Sequence, residues 1–235
     1  MRRLLLAACT LIAFPLFGQV STVGMKNEFT QLSKLGRLQG AEGLQTYSTG
    51  NIKGSRYFLP DWTMGELISS SDQVLSNPYL FLYDKQNQNL YFKSKDSSLI
   101  YLVDKSQVEV FKIANHRFIP GTKINGADEN SFYELIAGNK TGYALYKLTK
   151  TKFVKSNNTD LEKIKMGDFE DEYKDEISFY LASKDQPLKK ITFSEKKFLQ
   201  YMPEQTQKII DYFREHSGEK VDEQFASRLI DYLNH

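Results

Sequence analysis

Between Ile52 and about Phe153, large apolar residues come in short runs, several alternating with polar ones, and each run ends in a polar turn. That pattern predicts strands rather than helices. The runs cover residues 56–59, 65–69, 79–84, 89–93, 99–103, 108–113, 132–136 and 143–148. Tyr79-Leu80-Phe81-Leu82-Tyr83 is apolar in both phases, which suits a central strand covered on each face. Two further runs, 177–182 and 188–193, flank Lys184-Asp185-Gln186-Pro187 and predict a closing hairpin. Strands at this spacing predict a mainly β (α+β) fold, an antiparallel meander forming a roll, barrel or sandwich. The segment 120–130, with Gly121, Gly126, Asp128 and Glu129, is expected to be a long surface loop. The charged stretch 155–175 leaves room for a short helix through Leu161, Ile164, Met166, Phe169 and Tyr173.

After Phe193 the period changes to that of a helix. Ser194 is placed to cap a helix over 195–201, and Pro203 suits a first helical turn, where its missing N–H is not needed. Ile209, Ile210 and Phe213 share one helical face. Ser217-Gly218 is a stop signal, Asp222 a new N-cap, and Val221, Phe225, Leu229, Tyr232 and Leu233 the stripe of a last helix. Two to three C-terminal helices are therefore expected, including an antiparallel pair docked on the sheet or on a partner.

The N-terminus reads differently again. Arg2 and Arg3 precede an apolar stretch from Leu4 to Phe17, and Gly18 offers a small residue for cleavage, the layout of a secretory leader. Leu6-Ala7-Ala8-Cys9 also spells a lipobox, which would anchor the protein by a lipid at Cys9. It would leave only Leu4 to Ala8 as the apolar core of the leader, against about 7 to 15 residues normally found. A cut near Gly18 is the favoured reading. Residues 19–50 carry few large apolar side chains and read as a partly disordered arm, with about two helical turns available over 29–38 through Phe29, Leu32 and Leu35. The expected plan is a signal peptide at 1–18, this arm at 19–50, a β-rich domain at 51–193 and a helical pair packed on it at 194–235.

Cleavage changes the charge. Losing Arg2 and Arg3 from 31 basic residues leaves a balance with the 29 acidic ones. Nucleic acid and anionic membrane surfaces then have no electrostatic claim as partners. The sole cysteine, Cys9, goes with the leader, so disulfides, thiolate catalysis and thiolate metal sites are not expected. No transmembrane segment is expected in the mature chain. Aromatic residues make up 13% of the chain, enough to build a core without such cross-links.

Candidate chemistry is sparse. Phosphate-loop, dinucleotide, zincin, nucleophile-elbow and EF-hand motifs are missing from the sequence. His116, His216 and His235 share no metal-ligand spacing. His116 could act as general base for a serine, but a loop or surface histidine is the favoured reading, and His216 suits a helix C-terminus. Asp168, Glu170, Asp171, Glu172, Asp175 and Glu176 form the best cation candidate, yet the interleaved Lys163, Lys165 and Lys174 favour a solvated charged face. Asn139 and Asn157 each open an N-glycosylation pattern, of use only in a eukaryote. Tyr57, Trp62, Tyr79, Tyr83, Tyr91 and Tyr101 could stack on a sugar or line a lipid cavity; strand packing explains them more simply. No catalytic residue, metal site or cofactor is assigned.

Gly54-Ser55-Arg56-Tyr57-Phe58, Trp62 to Leu67, Tyr79 to Asp84 and Asn89 to Lys93 follow an order that resembles a group of exported Gram-negative envelope proteins. In that group a GSPYL-like strand and a "W or F, then G" strand precede a YN or YD hairpin. The similarity extends through Tyr101 and Val108 to Phe111, and resumes in the paired C-terminal helices ending Leu233-Asn234. Arg56 stands where the group usually has proline. The resemblance implies compartment and fold and carries no catalytic residue. The expectation is an exported, periplasmic or extracellular binding or assembly protein without catalytic activity, whose partner is another envelope protein. A lipid or sugar carrier is the alternative, and a hydrolase using His116 or the acidic run is the third reading.

Overall fold

The computed structural model describes residue 32 and residues 35–39, 52–155, 171–184 and 186–235. The leader with Cys9, most of the arm, Asn157, and Asp168 and Glu170 of the acidic run lie outside them. Among the described residues thirteen strands occur: β1 (Gly36–Gln39), β2 (Ile52–Lys53), β3 (Thr63–Ser69), β4 (Val74–Leu75), β5 (Tyr79–Asp84), β6 (Asn89–Ser94), β7 (Ile100–Val103), β8 (Val108–Ile113), β9 (His116–Pro120), β10 (Phe132–Gly138), β11 (Ala144–Val154), β12 (Asp171–Ser183) and β13 (Gln186–Ile191). They form one sheet in the order β1-β7-β6-β5-β3-β8-β9-β10-β11-β12-β13, with β4 beside β3 and β2 beside β12. Only the β2–β12 pair is parallel. The mainly β, antiparallel class expected from the pattern is the one found, and the sheet does not close into a barrel.

Instead it folds over at β3. Thr63 and Met64 pair with β5, whereas Gly65 onward pairs with β8. A Cβ on Gly65 would stand 2.4 Å from the Lys112 carbonyl oxygen, so only glycine permits the close approach at this corner. In a flat sheet β5 and β10 would lie about 19 Å apart at the usual strand spacing. The rings of Tyr83 on β5 and Phe132 on β10 are 5.8 Å apart, edge to face. The first half of the sheet therefore lies on the second, and Phe81, Tyr83, Phe92, Leu67, Phe111 and Phe118 fill the space between them.

Cross-strand partners share a face. One row therefore crosses seven strands: Leu67, Phe111, Phe118, Glu134, Lys147, Phe179 and Ile191. The folded-over half covers its first three members. Its last two are covered by helices α1 (Glu195–Tyr201), α2 (Thr206–Glu215) and α3 (Glu223–Leu233), which build a second core from Phe198, Ile209, Phe225, Ala226, Leu229 and Ile230. Glu134 and Lys147 fall in between. On the opposite face, Ile119, Tyr133, Tyr146 and Leu148 pack with Ile124 and Ala127 of the 121–130 segment.

Several expectations need correction. Residues 56–59 do not form a strand; Tyr57 makes one isolated bridge to Asp84, because Pro60 follows at once and lacks an N–H for a ladder. Of the arm, Leu32 and Leu35 are helical but Gly36–Gln39 pairs with β7, and Leu35 is buried in the first core. His116 opens β9 rather than sitting in a loop, because Ala114 takes φ 51° and closes a tight hairpin with Ile113 opposite His116. Residues 171–175 belong to β12, not to a helix, since the long β11 supplies partners for 172–175 and β2 one for Asp171. The 120–130 segment is not all surface loop: Pro120 ends β9, and Pro120, Gly121 and Ile124 are buried. In α3, Asp222 caps Gln224 and Phe225 as expected, while Tyr232 of the proposed stripe is 41% exposed and Ala226 and Ile230 are buried instead. Ser194 occupies the N-cap of α1 without a side-chain hydrogen bond. Among the described residues no helix is long and apolar enough to cross a membrane.

Candidate functional site

The six aromatic candidates separate onto two faces of the folded-over half. Tyr79, Tyr83 and Tyr101 belong to the first core, where Tyr101 stacks on Phe92 at 5.0 Å. Burial pushes the Tyr83 phenol far above its ordinary pKa, and its hydroxyl donates to Gln88 Oε1 at 2.9 Å. Tyr57 and Tyr91 form a small separate cluster with Leu82, against which Trp62 packs; Lys93 lies 4.9 Å over the Trp62 ring. These rings are occupied with packing.

His116 is part of the charged step between the two cores. Its Nδ1 is 2.5 Å from Glu134 Oε1, and Glu134 Oε2 is 3.2 Å from Lys147 Nζ, which reaches Glu223 of α3 at 3.1 Å. Glu134 is 8% exposed in its side chain and Lys147 17%. Burial works against the Lys147 charge, yet Glu134 and Glu223 outweigh it and hold its pKa above the ordinary value. Phe58 sets its ring edge-on against the imidazole at 4.8 Å. A carboxylate bound to imidazole can orient a general base. Among the described residues no hydroxyl is hydrogen-bonded to His116, so a nucleophile to complete that arrangement is missing there.

The described part of the acidic run lies along β12, and two of its members are ion-paired. Asp175 accepts from Lys85 at 2.7 and 2.8 Å and from Thr151 at 2.5 Å, and Glu176 pairs with Lys152 at 2.7 Å. No three histidine, cysteine or acidic side chains gather as a metal site among the described residues.

A cavity of about 510 Å³ opens where β1 and β7 meet the 121–130 segment; none of the six aromatic candidates lines it, although Tyr91, whose hydroxyl is 3.4 Å from Asn89 Nδ2, stands beside it. Gly36, Leu102 and Val103 are its apolar lining residues, and Arg37, Asn89, Asp104, Lys105, Thr122, Glu129 and Asn130 form a polar wall. Lys105 spans it: Nζ donates to the Asn130 carbonyl at 2.8 Å and lies 5.5 Å over the Phe132 ring. Burial lowers the Lys105 pKa, partly offset by Asp128. Sequence patterning could not find this site, because β1 lies in the stretch read as an arm and the wall comes from four separate segments. No protein family, curated protein or solved structure matches the chain.

Proposed function

We propose that the protein is a binding or assembly module of the cell envelope, without catalytic activity, that takes up an extended strand of a partner protein on the free edge of β12. The observation that carries this reading is the window 173–178. Among the described residues, β2 pairs on that side of β12 only with Asp171 and Glu172, and β13 begins pairing at Phe179. Lys174, Asp175, Glu176 and Ile177 are exposed in succession, and Ile177 is 55% exposed. An open strand edge presents N–H and C=O groups to an incoming strand. The window is about as long as a typical strand, with Ile177 as an apolar anchor and Lys174 and Glu176 to select the partner by charge. The terminal strand β13 is guarded by contrast, with Pro187, Lys189 and Lys190 on it and the Leu188 N–H bonded to the Asn125 carbonyl at 2.7 Å. The engagement of His116 and the packing of the aromatic candidates support a role without catalysis. The compartment rests on the leader and on the resemblance to exported envelope proteins.

The test is a photo-crosslinking residue at Lys174 of the full chain in a Gram-negative host, with and without Ile177→Lys. One defined adduct is expected, lost in the Ile177→Lys chain at an unchanged melting temperature, because Ile177 is already exposed. Adducts indifferent to that substitution, or none, would overturn the reading. Light scattering shows whether the captured strand belongs to a second copy of the chain.

A further inference from the structure

We infer that the cavity between β1, β7 and the 121–130 segment is a binding site for a neutral, polyhydroxylated molecule of mono- to disaccharide size. This goes beyond strand capture on β12 and does not depend on it. A volume of about 510 Å³ lies within the range of small-molecule sites. The wall has two cations, Arg37 and Lys105, and two anions, Asp104 and Glu129. They interleave: Asp104 and Lys105 are neighbours on one turn. Opposite charges mixed in this way produce no net field to hold an ion, and no separated poles to seat a zwitterion. What they do offer is paired donors and acceptors. Arg37, Glu129 and Asn130 each carry two polar atoms side by side, the spacing that adjacent hydroxyls can engage, while Asp104 Oδ1 already accepts from the Ser106 N–H and hydroxyl and Asn89 Nδ2 donates to the Tyr91 hydroxyl. Among the described residues no hydrogen bond or ion pair engages the side chains of Arg37, Thr122 or Glu129, so their capacity is open to a ligand. Leu102, which shares a face with its cross-strand partner Arg37, supplies an apolar side chain for the C–H face of a ring, while Val103 turns the other way into the first core. The polar wall is unsuited to an acyl chain.

The experiment follows backbone amide shifts of the mature protein during titration with maltose and with N,N′-diacetylchitobiose, using glycylglycine and decanoate as comparators. Saturable shifts at Asp104, Lys105 and Asn130 are expected with at least one of the sugars. Glu129→Gln should weaken that binding about tenfold, the effect of losing a charge-assisted hydrogen bond. Thr122→Trp, an exposed position on the rim, should abolish it while leaving the rest of the spectrum in place, and Ile177→Lys should leave it unchanged. The proposal is overturned if neither sugar gives saturable shifts up to its solubility, if glycylglycine or decanoate binds these amides more tightly, or if Thr122→Trp binds as before.

Discussion

Gln88 holds the folded-over half in place with a single side chain. It sits at φ 54° in the β5–β6 turn, and all its amide atoms are in use. Oε1 accepts from the Tyr83 hydroxyl at 2.9 Å and the Phe132 N–H at 3.1 Å; Nε2 donates to the carbonyls of Lys85 at 2.8 Å and Thr149 at 2.9 Å. A buried amide so satisfied is costly to replace, since each group left unpaired loses about 1–3 kcal/mol. Gln88→Leu is expected to destabilise the protein by about 3 kcal/mol or more in chemical denaturation. An unchanged denaturation midpoint would refute the assignment. Nothing in the sequence marks Gln88, because two of its partners, Thr149 and Phe132, come from strands far along the chain. Arg56 shows the same limit. It pairs with Asp84, which is fully buried and also accepts from the N–H groups of Gln86 and Asn87, so the Asp of the YD hairpin and the Arg of the preceding segment form one unit.

At the scale of elements, the turn between β10 and β11 is where the helices are fastened to the sheet. Asn234 imitates a strand residue: Oδ1 accepts from the Tyr143 N–H at 2.8 Å and Nδ2 donates to the Tyr143 carbonyl at 2.9 Å. The Tyr143 hydroxyl donates to Glu204, just ahead of α2. Burial, reinforced by Glu204, raises the Tyr143 phenol from 10.0 to about 12. Below pH 10 the folded and unfolded chains both keep this proton; between 10 and about 12 only the folded chain does. The folded state therefore loses stability as the pH rises through that interval. Denaturation midpoints measured across it should fall less steeply for Tyr143→Phe than for the unaltered chain. Strand positions were legible wherever apolar residues set the period, as at 79–84 and 108–113, which match β5 and β8. The outer halves of β11 and β12 were not, because Lys150, Lys152, Lys174 and Glu176 are held there by the ladder and by ion pairs.

For the whole molecule, the row from Leu67 to Ile191 explains how one sheet serves two cores. Its apolar members lie under the folded-over half or under the helices, and the Glu134–Lys147 pair fills the step between them. Removing one partner of a largely buried ion pair costs about 3 kcal/mol, because the other charge is left without compensation. Lys147→Met is expected to show that loss, and adding Glu134→Leu should recover most of it, since the partners then left, His116 and Glu223, are 43% and 39% exposed in their side chains and keep their hydration. A double variant as unstable as the single one would mean that the step acts through shape rather than charge. Both residues left a trace in the sequence, a charge inside the apolar runs 132–136 and 143–148. Only the register revealed that they are opposite each other.

The sequence by itself determined the strand and helix periods, the antiparallel class, the helical first turn at Pro203 and the cap at Asp222, because these depend on neighbours within a few residues. The tertiary structure alone decided the fold-over at Gly65, the docking of β1, the charged step, the open edge of β12 and the cavity. Each of these depends on contacts between segments far apart in the chain, and the energy of such a contact exists only once both partners have been brought together.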